Sequence, residues 1–359
     1  MIKLVINRLL YSFAVLLGVI TVVFLLFNVL PGDPTRMIMG QRADVQSLEA
    51  IKKDLGLDLP VSIQYLKYLN DLSPVSLYSS DKASRFGLAN AEMKIWGVVD
   101  FPFSDVLLVL KPCYLRRSYQ SRKPVVDIIK ETIPNTFILA ITAMFFATLL
   151  GIFLGIAAAI KKDKLFDKIA LLLSSFGMSI PSFFAAILIG WLFAFVLADY
   201  TGLNLTGNLT EIDDFGDGER MVWKNLILPA LTLGIRPLAI ILQLSRNSML
   251  EVLQQDYIRT AHAKGLSFSR IILVHALKNS LNPVITAVSG WFASLMAGVV
   301  FIEYIFGWKG LGYVIVEALN MYDLPVVMGT LLVISTVFVL LNFLVDIGYG
   351  VLDPKIRHR

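Results

Sequence analysis

The sequence predicts an all-α integral membrane protein with six transmembrane helices and with both termini in the cytoplasm. Apolar residues make up 56% of the 359 residues and charged residues only 16%, and the mean hydropathy is +0.71. Soluble domains carry about 25% charged residues, so this composition indicates a chain that lies largely in a bilayer. Uncharged runs of spanning length recur along the chain, and basic residues beside their ends orient them.

The first span is Leu9–Leu30, 22 residues without a charge and long enough to cross a bilayer. Lys3 and Arg8 precede it, which predicts a cytoplasmic N-terminus. No small-x-small cleavage site follows, so we expect an uncleaved helix rather than a signal peptide that is removed. The sequence PGDP at 31–34 stops the helix. Residues 1–34 are therefore expected to form the N-terminal segment and first transmembrane helix.

Residues 35–133 are expected to form an extracytoplasmic segment between the first and second membrane helices. Amphipathic spacing predicts helices over 45–55 and 61–72. The apolar run Val106–Leu110 is too short to span a membrane. We interpret 73–115 as an insertion, and two interpretations of it stay open: an ordered cap on the outer face, or an insertion with no separate function.

The second span is Thr136–Ile160 and the third is Ile169–Ala198. The lysines between them, which mark the cytoplasmic side, are Lys161, Lys162, Lys164 and Lys168. The third span is longer than the hydrocarbon requires and contains Pro181, so we expect a tilt or a kink. The acidic loop at 199–224 then faces outward, and without EF-hand spacing it is expected to be a solvated turn rather than a calcium site.

The fourth span is Leu226–Leu244, and it carries Arg236 directly before Pro237 near its middle. A charged side chain inside a bilayer is costly and rarely faces lipid, so a place in the substrate pathway is the first hypothesis. Arg236 would then offer a positive site to a substrate carboxylate. Two alternatives stay open: pairing with carbonyls that Pro237 leaves free, or a position at the membrane interface.

The fifth span is Leu281–Ile302 and the sixth is Val326–Val345. The segment between them faces outward, and its glycines permit tight turns before a short helix; they are Gly307, Gly310 and Gly312. The basic tail that follows the sixth span predicts a cytoplasmic C-terminus.

Between the fourth and fifth spans lies a polar, basic stretch, residues 247–280, with DYIRTAHAKGLSFSRIILVHAL at its centre. Apolar residues recur at helical spacing on both sides of Gly265, which suits a left-handed turn, and Ser267 is placed to cap the second half. We expect a helix-turn-helix hairpin at the cytoplasmic surface of the membrane. Such a hairpin is suited to docking in the groove of a partner.

This stretch resembles the coupling loop of binding-protein-dependent ABC importer permeases, whose pattern is E-A-A-x3-G-x9-I-x-L-P. Only Ala261, Gly265 and Leu277 match that general pattern, but the form DYIRTAxAKGL is characteristic of the dipeptide/oligopeptide/nickel branch. Other motifs similar to that branch occur in the same order, and they are PGDP, LGLDxP…QYxxYL, ILPALTLG, E-x-I-F-x-x-x-G-L-G and a terminal LDP. The resemblance covers most of residues 1–72 and 116–359.

The resemblance implies a type I ABC importer permease fold at a prokaryotic inner membrane, with residues 134–359 as a five-helix permease core. The implied partners are two ABC ATPase subunits, a second homologous permease that completes a heterodimer, and an extracytoplasmic solute-binding protein. The residues implied in coupling to the ATPases are Asp256, Tyr257, Arg259, Thr260, Ala261, Lys264, Gly265 and Leu277. Docking would depend on a face that carries Tyr257 and Ala261, and on the absence of a side chain at Gly265.

The chain carries no recognisable catalytic chemistry of its own. It has no Walker A sequence, no cluster of metal ligands and no nucleophile paired with a base, so we expect neither an enzyme nor a cofactor or metal site. The net charge of +5 is explained by basic residues beside the spans, and no nucleic acid partner is expected. The single cysteine, Cys113, excludes an intrachain disulfide.

Two other classes remain as alternatives. A self-contained secondary transporter or channel would place ionisable relays or inverted repeats in its spans, where Arg236 is the only clear charge here. A membrane-bound enzyme would need an acid–base or metal constellation. Within the resembled family the solute stays open among di- and oligopeptides, nickel complexes and other small solutes, with peptides the commonest.

Overall fold

The computed structural model describes residues 2–29, 58–80, 95–100, 105–212 and 218–352. Its helices are α1 (Ile2–Val29), α2 (Val61–Leu72), α3 (Val125–Ile160), α4 (Leu165–Ser179), α5 (Ser182–Trp191), α6 (Ala198–Thr201), α7 (Lys224–Leu253), α8 (Asp256–Ala263), α9 (Phe268–Arg270), α10 (Leu277–Ser280), α11 (Asn282–Gly298), α12 (Val300–Ile305), α13 (Leu311–Asn320) and α14 (Leu324–Leu352). Two π-helices, Leu192–Val196 and Ile271–Ala276, continue α5 and α9. The predicted helix over 45–55, the PGDP stop and the tail after residue 352 lie outside the described residues.

Four helices in the described part of the chain, α1, α3, α7 and α14, are long and apolar enough to cross a membrane. Two bent pairs meet the same criterion together: α4 with α5 and its π-helix, and the segment Phe268–Ser280 with α11. The described chain therefore offers four spans, or up to six if each bent pair is one span. Helices are the expected solution, because a helix satisfies its backbone polar groups without water.

The third predicted span is broken at Pro181. The change of direction there is larger than the tilt or kink that the sequence predicted. The two halves, α4 and α5, are bent by 114° relative to each other. Ile180, between them, has a ψ of 128°, which is the extended backbone that a following proline favours. In contrast, α7 contains Pro229 and Pro237 and still continues for 30 residues. Both prolines of α7 are buried, so packing supports the helix at these positions.

The segment after α2, which the sequence analysis interprets as an insertion, contains strands, where the sequence predicted an all-α protein. Strands β1 (Val75–Ser79), β2 (Gly97–Asp100) and β3 (Val106–Leu110) form an antiparallel sheet in the order β1-β3-β2. The run in β3 is apolar throughout, so it lacks the alternation that marks a half-buried strand. The acidic loop before α7 holds a second hairpin, β4 (Thr210–Ile212) with β5 (Glu219–Met221). The all-α prediction therefore holds for the membrane helices only.

The chain packs as two compact units, of which the first comprises Met1–Leu16, Thr132–Tyr313 and Ile334–Arg359. Its core is a cluster of buried apolar side chains around Trp308 and Phe306. The indole Nε1 of Trp308 donates a hydrogen bond of 3.0 Å to the backbone oxygen of Asn135. This unit holds every residue that the sequence singled out for coupling or for the substrate pathway.

The second unit comprises Leu17–Glu131 and Val314–Val333. Its core includes Phe24 and Tyr68, whose rings stack with centroids 5.7 Å apart. Asp323 accepts hydrogen bonds from the hydroxyl of Ser118 and, at 3.0 Å, from the N–H of Tyr119. The buried Asp323 thus ties the turn before α14 to the turn before α3.

Candidate functional site

The polar stretch between the fourth and fifth predicted spans folds as the expected hairpin of helices. Gly265 ends its first helix, α8, in the left-handed conformation with φ +74°. The Leu266 N–H donates to Ala261 O at 3.3 Å and the Gly265 N–H donates to His262 O at 2.9 Å. These two bonds form a Schellman motif, for which a glycine in this conformation is the usual residue. Ser267 occupies the N-cap position of α9 as predicted, but its side chain makes no capping hydrogen bond.

The inner side of the hairpin is held on the protein itself by a cluster of buried apolar side chains, here called the anchoring cluster. Ile258 and Ala261 of α8 are buried together with Ile271, Ile272 and Ala276 of the following π-helix. These side chains pack against Met249 at the end of α7 and Ala159 at the end of α3. The wide turn of a π-helix, a feature frequent at functional sites, accompanies this packing. Any force on the hairpin would therefore reach the ends of α3 and α7 directly.

The structure separates the two residues that were predicted to share a docking face, Tyr257 and Ala261. Ala261 follows Ile258 by three residues and shares its buried side, whereas Tyr257 is 42% exposed. Helical spacing alone permitted either grouping, because positions three and four residues apart both lie on one side of a helix. The burial of Ile258 and Ala261 on the same side of α8 decides between the two groupings.

The outer side of the hairpin is exposed. It includes the predicted residues Asp256, Tyr257, Arg259, Thr260, Lys264 and Gly265. Tyr257 accepts a hydrogen bond of 2.8 Å from the Asn279 amide, and Leu277 packs at the edge of the anchoring cluster. Three apolar side chains that the sequence reasoning missed are also exposed, and they are Phe268 at 50%, Leu273 at 64% and Val274 at 58%. The sequence feature that could have indicated them is an apolar run whose residues do not follow the helical spacing of the buried residues.

An ion pair between the buried Asp167 and the partly buried Arg246 joins α4 to α7. Asp167 accepts hydrogen bonds from Arg246 Nε at 2.6 Å and Arg246 Nη2 at 2.7 Å. The N–H of Asp163 adds a third donor at 2.9 Å. Two turns further along α4, the Gln243 amide donates to the Ser174 hydroxyl at 2.8 Å. These contacts fix the registry of the two helices, and the sequence reasoning did not single them out.

Arg236 lies beside a cavity of about 190 Å³ at the bend between α4 and α5. The lining comes from α4, α5, α7, α11 and α12, and it includes the polar side chains of Ser182, Thr232 and Ser294 together with Trp291. Arg236 has no hydrogen bond or ion pair to any residue that the structure describes, and no acidic residue lines the cavity. The arrangement therefore leaves its guanidinium available to a group from outside the chain.

Beyond the predicted fifth span, Glu303 is a buried carboxylate that holds the start of α13. Its Oε1 accepts from the Thr136 hydroxyl at 2.7 Å, and its Oε2 accepts from the backbone N–H of Gly312 at 2.6 Å and of Tyr313 at 3.3 Å. Burial raises the pKa of the Glu303 carboxyl to about 7, against the opposing effect of these hydrogen bonds. The motif around Glu303 was recognised in the sequence, but its partner Thr136 was not.

Two family models match this chain, and known proteins are similar to it over nearly its whole length. Residues 151–358 match the family described as binding-protein-dependent transport system inner membrane component, and residues 1–99 match its N-terminal family. The dipeptide transport system permease protein of Escherichia coli K12 is 33% identical over 100% of both chains. The corresponding protein of Alkalihalophilus pseudofirmus is 33% identical over 98% of both chains. A glutathione transport system permease protein of Salmonella typhi is 33% identical over 100% of both chains.

The matches settle the class of the protein. The family and these relatives are transport permeases of the inner membrane, which are non-catalytic, so ATP hydrolysis is carried out by separate ATPase subunits. The helices of spanning length agree with a multi-pass protein of that membrane. This chain belongs to the family of binding-protein-dependent transport system inner membrane components.

Proposed function

We propose that this chain forms half of the translocation pathway of an ATP-driven importer for di- and oligopeptides. The observation that carries the substrate class is full-length similarity to relatives whose names specify dipeptides, di- and tripeptides, or glutathione. Nickel complexes or other small solutes remain the alternative cargo within the family. A self-contained secondary transporter is the alternative of a different class.

The proposed topology has six spans, with each bent helix pair crossing the membrane once and both termini in the cytoplasm. The lysines after α3 and the basic hairpin after α7 support this orientation, because short cytoplasmic loops are enriched in basic residues. The segment 73–115 then lies outside the cell membrane as an insertion within the outer segment 35–133. Residues 134–359 supply the permease core.

The proposed coupling element is the hairpin within residues 247–280. Its anchored inner side, with Ala261 and Leu277, transmits motion to the ends of α3 and α7. Its exposed outer side docks on an ATPase, and the residues proposed for that contact are Asp256, Tyr257, Arg259, Thr260, Lys264 and Gly265. Closure of two ATPase subunits on ATP then moves the hairpin as a rigid body and switches the access of the pathway.

The proposed assembly contains this chain, a second homologous permease, two ATPase subunits and an extracytoplasmic solute-binding protein. The family description, which names a binding protein, supports the last of these partners. Arg236 is proposed to line the pathway, because an arginine without a partner is costly against lipid.

The test is purification of the tagged chain from membranes in mild detergent, followed by identification of the co-purifying proteins and reconstitution into proteoliposomes. The proposal expects an ATPase, a second permease and peptide uptake that requires both ATP and the binding protein. Uptake by the chain alone without ATP would overturn it in favour of a secondary transporter. Uptake of nickel complexes but not of peptides would show that the importer carries nickel complexes instead.

A further inference from the structure

The cavity beside Arg236 has the position of a site within the membrane. Arg236 is the thirteenth residue of α7, so it lies about 18 Å along the helix axis from Lys224. At that depth a charged group that faces lipid costs several kcal/mol, and the cost falls only if the group faces water, a partner or a ligand. Among the described residues the chain offers Arg236 no such partner. We therefore expect the face that carries Arg236 to lie away from lipid.

The lining of the cavity combines one cation with hydroxyls and an indole. Ser182 and Ser294 are exposed and make no hydrogen bond to a described residue, whereas the Thr232 hydroxyl already donates to Leu228 O at 2.8 Å. Trp291 adds a flat apolar wall. One water needs roughly 10–15 Å³ of such space, so a cavity of about 190 Å³ accepts a much larger group.

The break at Pro181 creates this space. α4 and α5 are bent by 114° relative to each other, and Ile180 and Ser182 on either side of Pro181 line the cavity. Near the break, Gly177 lets α4 approach α7 closely, since a Cβ atom there would lie 3.1 Å from Ile235 Cγ2. The cavity thus lies at the backbone break between α4 and α5.

We propose that this cavity binds the carboxylate of the solute during its passage, with Arg236 as the primary ligand and the Ser182 and Ser294 hydroxyls as additional donors. A planar guanidinium with parallel N–H donors matches a carboxylate in bidentate geometry, which an ammonium does not. The side chain next to the carboxylate would lie against Trp291. The inference rests on the proposed import of peptides, each of which presents a terminal carboxylate, and it adds which end of the peptide this subunit recognises.

The first test uses accessibility and needs no knowledge of the solute. Replacement of the only cysteine, Cys113→Ser, gives a background for the single-cysteine variant Ser294→Cys in the assembled complex. Anionic and cationic methanethiosulfonate reagents then probe the cavity. We expect the anionic reagent to react faster, and we expect Arg236→Gln to reduce this preference about tenfold while Arg236→Lys retains much of it. A Ser294→Cys side chain that reacts no faster than the background, or an unchanged charge preference in Arg236→Gln, would overturn the proposal.

The second test compares uptake of a dipeptide with a free C-terminus and of its C-terminal amide, with the same saturating binding protein in each case. We expect Arg236→Gln to reduce uptake of the free acid roughly tenfold relative to uptake of the amide, because only the acid uses the guanidinium. An equal loss for both peptides would refute carboxylate recognition and leave peptide import intact. No peptide uptake by the wild-type complex would instead refute the proposed function, and the accessibility test would still judge the cavity.

Discussion

The Thr136 hydroxyl donates a hydrogen bond of 2.7 Å to Oε1 of Glu303 and also accepts one of 2.8 Å from the N–H of Leu311. Glu303 in turn accepts from Gly312 N–H. Two side chains from distant parts of the chain therefore satisfy the first N–H groups of α13, which no residue of that helix could satisfy. The start of α13, residues 311–313, is thus held by Thr136 of α3 and Glu303 of α12, and these residues belong to the same unit.

Glu303→Gln should destabilise this junction by about 1–3 kcal/mol, because the amide oxygen can accept from the backbone N–H groups of Gly312 and Tyr313 but its NH₂ then replaces the oxygen that accepts from the Thr136 hydroxyl. The measurement is the thermal unfolding midpoint of the purified complex. Glu251→Gln, at an exposed site on α7, is the matched control and should leave the midpoint unchanged. Equal midpoints for Glu303→Gln and the wild type would show that the junction contributes nothing to stability.

Stability should also depend on pH through Glu303. Its pKa is raised from 4.5 to about 7 in the folded state. A carboxyl group whose pKa is raised by folding stabilises the folded state fully at pH values below its pKa in the unfolded chain. This stabilisation is lost as the pH rises through its pKa in the folded protein. The unfolding midpoint should therefore fall between about pH 5 and pH 8, and this fall should be smaller in Glu303→Gln. A pH dependence that is identical in the two proteins would contradict the assignment to Glu303.

Gly310→Ala and Gly312→Ala should both destabilise the same junction, by about 1–3 kcal/mol each. A Cβ atom at Gly310 would lie 2.2 Å from Glu303 Oε1, and one at Gly312 would lie 2.4 Å from Val300 Cα. Gly290→Ala on α11 is the control, since a Cβ atom there meets nothing within 4 Å. The unfolding midpoint separates the three variants, and a Gly312→Ala protein as stable as Gly290→Ala would contradict the packing described.

Gly265→Asp is expected to leave the protein inserted while peptide uptake falls at least about tenfold with ATP hydrolysis retained, because the hairpin docks on an ATPase through its outer side. A Cβ atom at Gly265 meets nothing within 4 Å in this chain, so the obstruction must come from a partner. Gly202→Asp is the matched control: Gly202 also has a positive φ, +61°, and open space around it.

Gly265→Asn separates docking from backbone strain, because asparagine tolerates the left-handed conformation better than other side chains. If docking is the cause, Gly265→Asn should also impair coupling. Normal uptake in Gly265→Asp would refute the role of the hairpin.

Asp167→Asn should destabilise the protein by about 1–3 kcal/mol, because the partly buried Arg246 would lose its charge partner. The double variant Asp167→Leu with Arg246→Met should regain most of that stability, since it removes both charges of the pair. Unfolding midpoints of the single and double variants provide the measurement. A double variant as unstable as Asp167→Asn would show that the loss arises from something other than the unpaired arginine.

Local signals in the sequence were sufficient for the hairpin but not for its orientation. Gly265 was expected in a left-handed turn and has φ +74°. Ala261 was expected on a docking face and is buried, because Ile258 draws that side of α8 into the anchoring cluster. The spacing of residues gives the period of a helix, but the environment decides which side is covered.

Hydropathy, charge and the placement of glycine and proline determined the membrane class, the apolar segments of spanning length, a change of direction at Pro181 and the turn at Gly265. Each of these is a property of a short stretch of chain, so it can be read without knowledge of the fold. The tertiary structure alone decided the Thr136–Glu303 contact, the Asp167–Arg246 pair and the cavity beside Arg236. The partners in the two contacts lie 167 and 79 residues apart, and only packing of the helices brings such distant side chains within hydrogen-bonding distance.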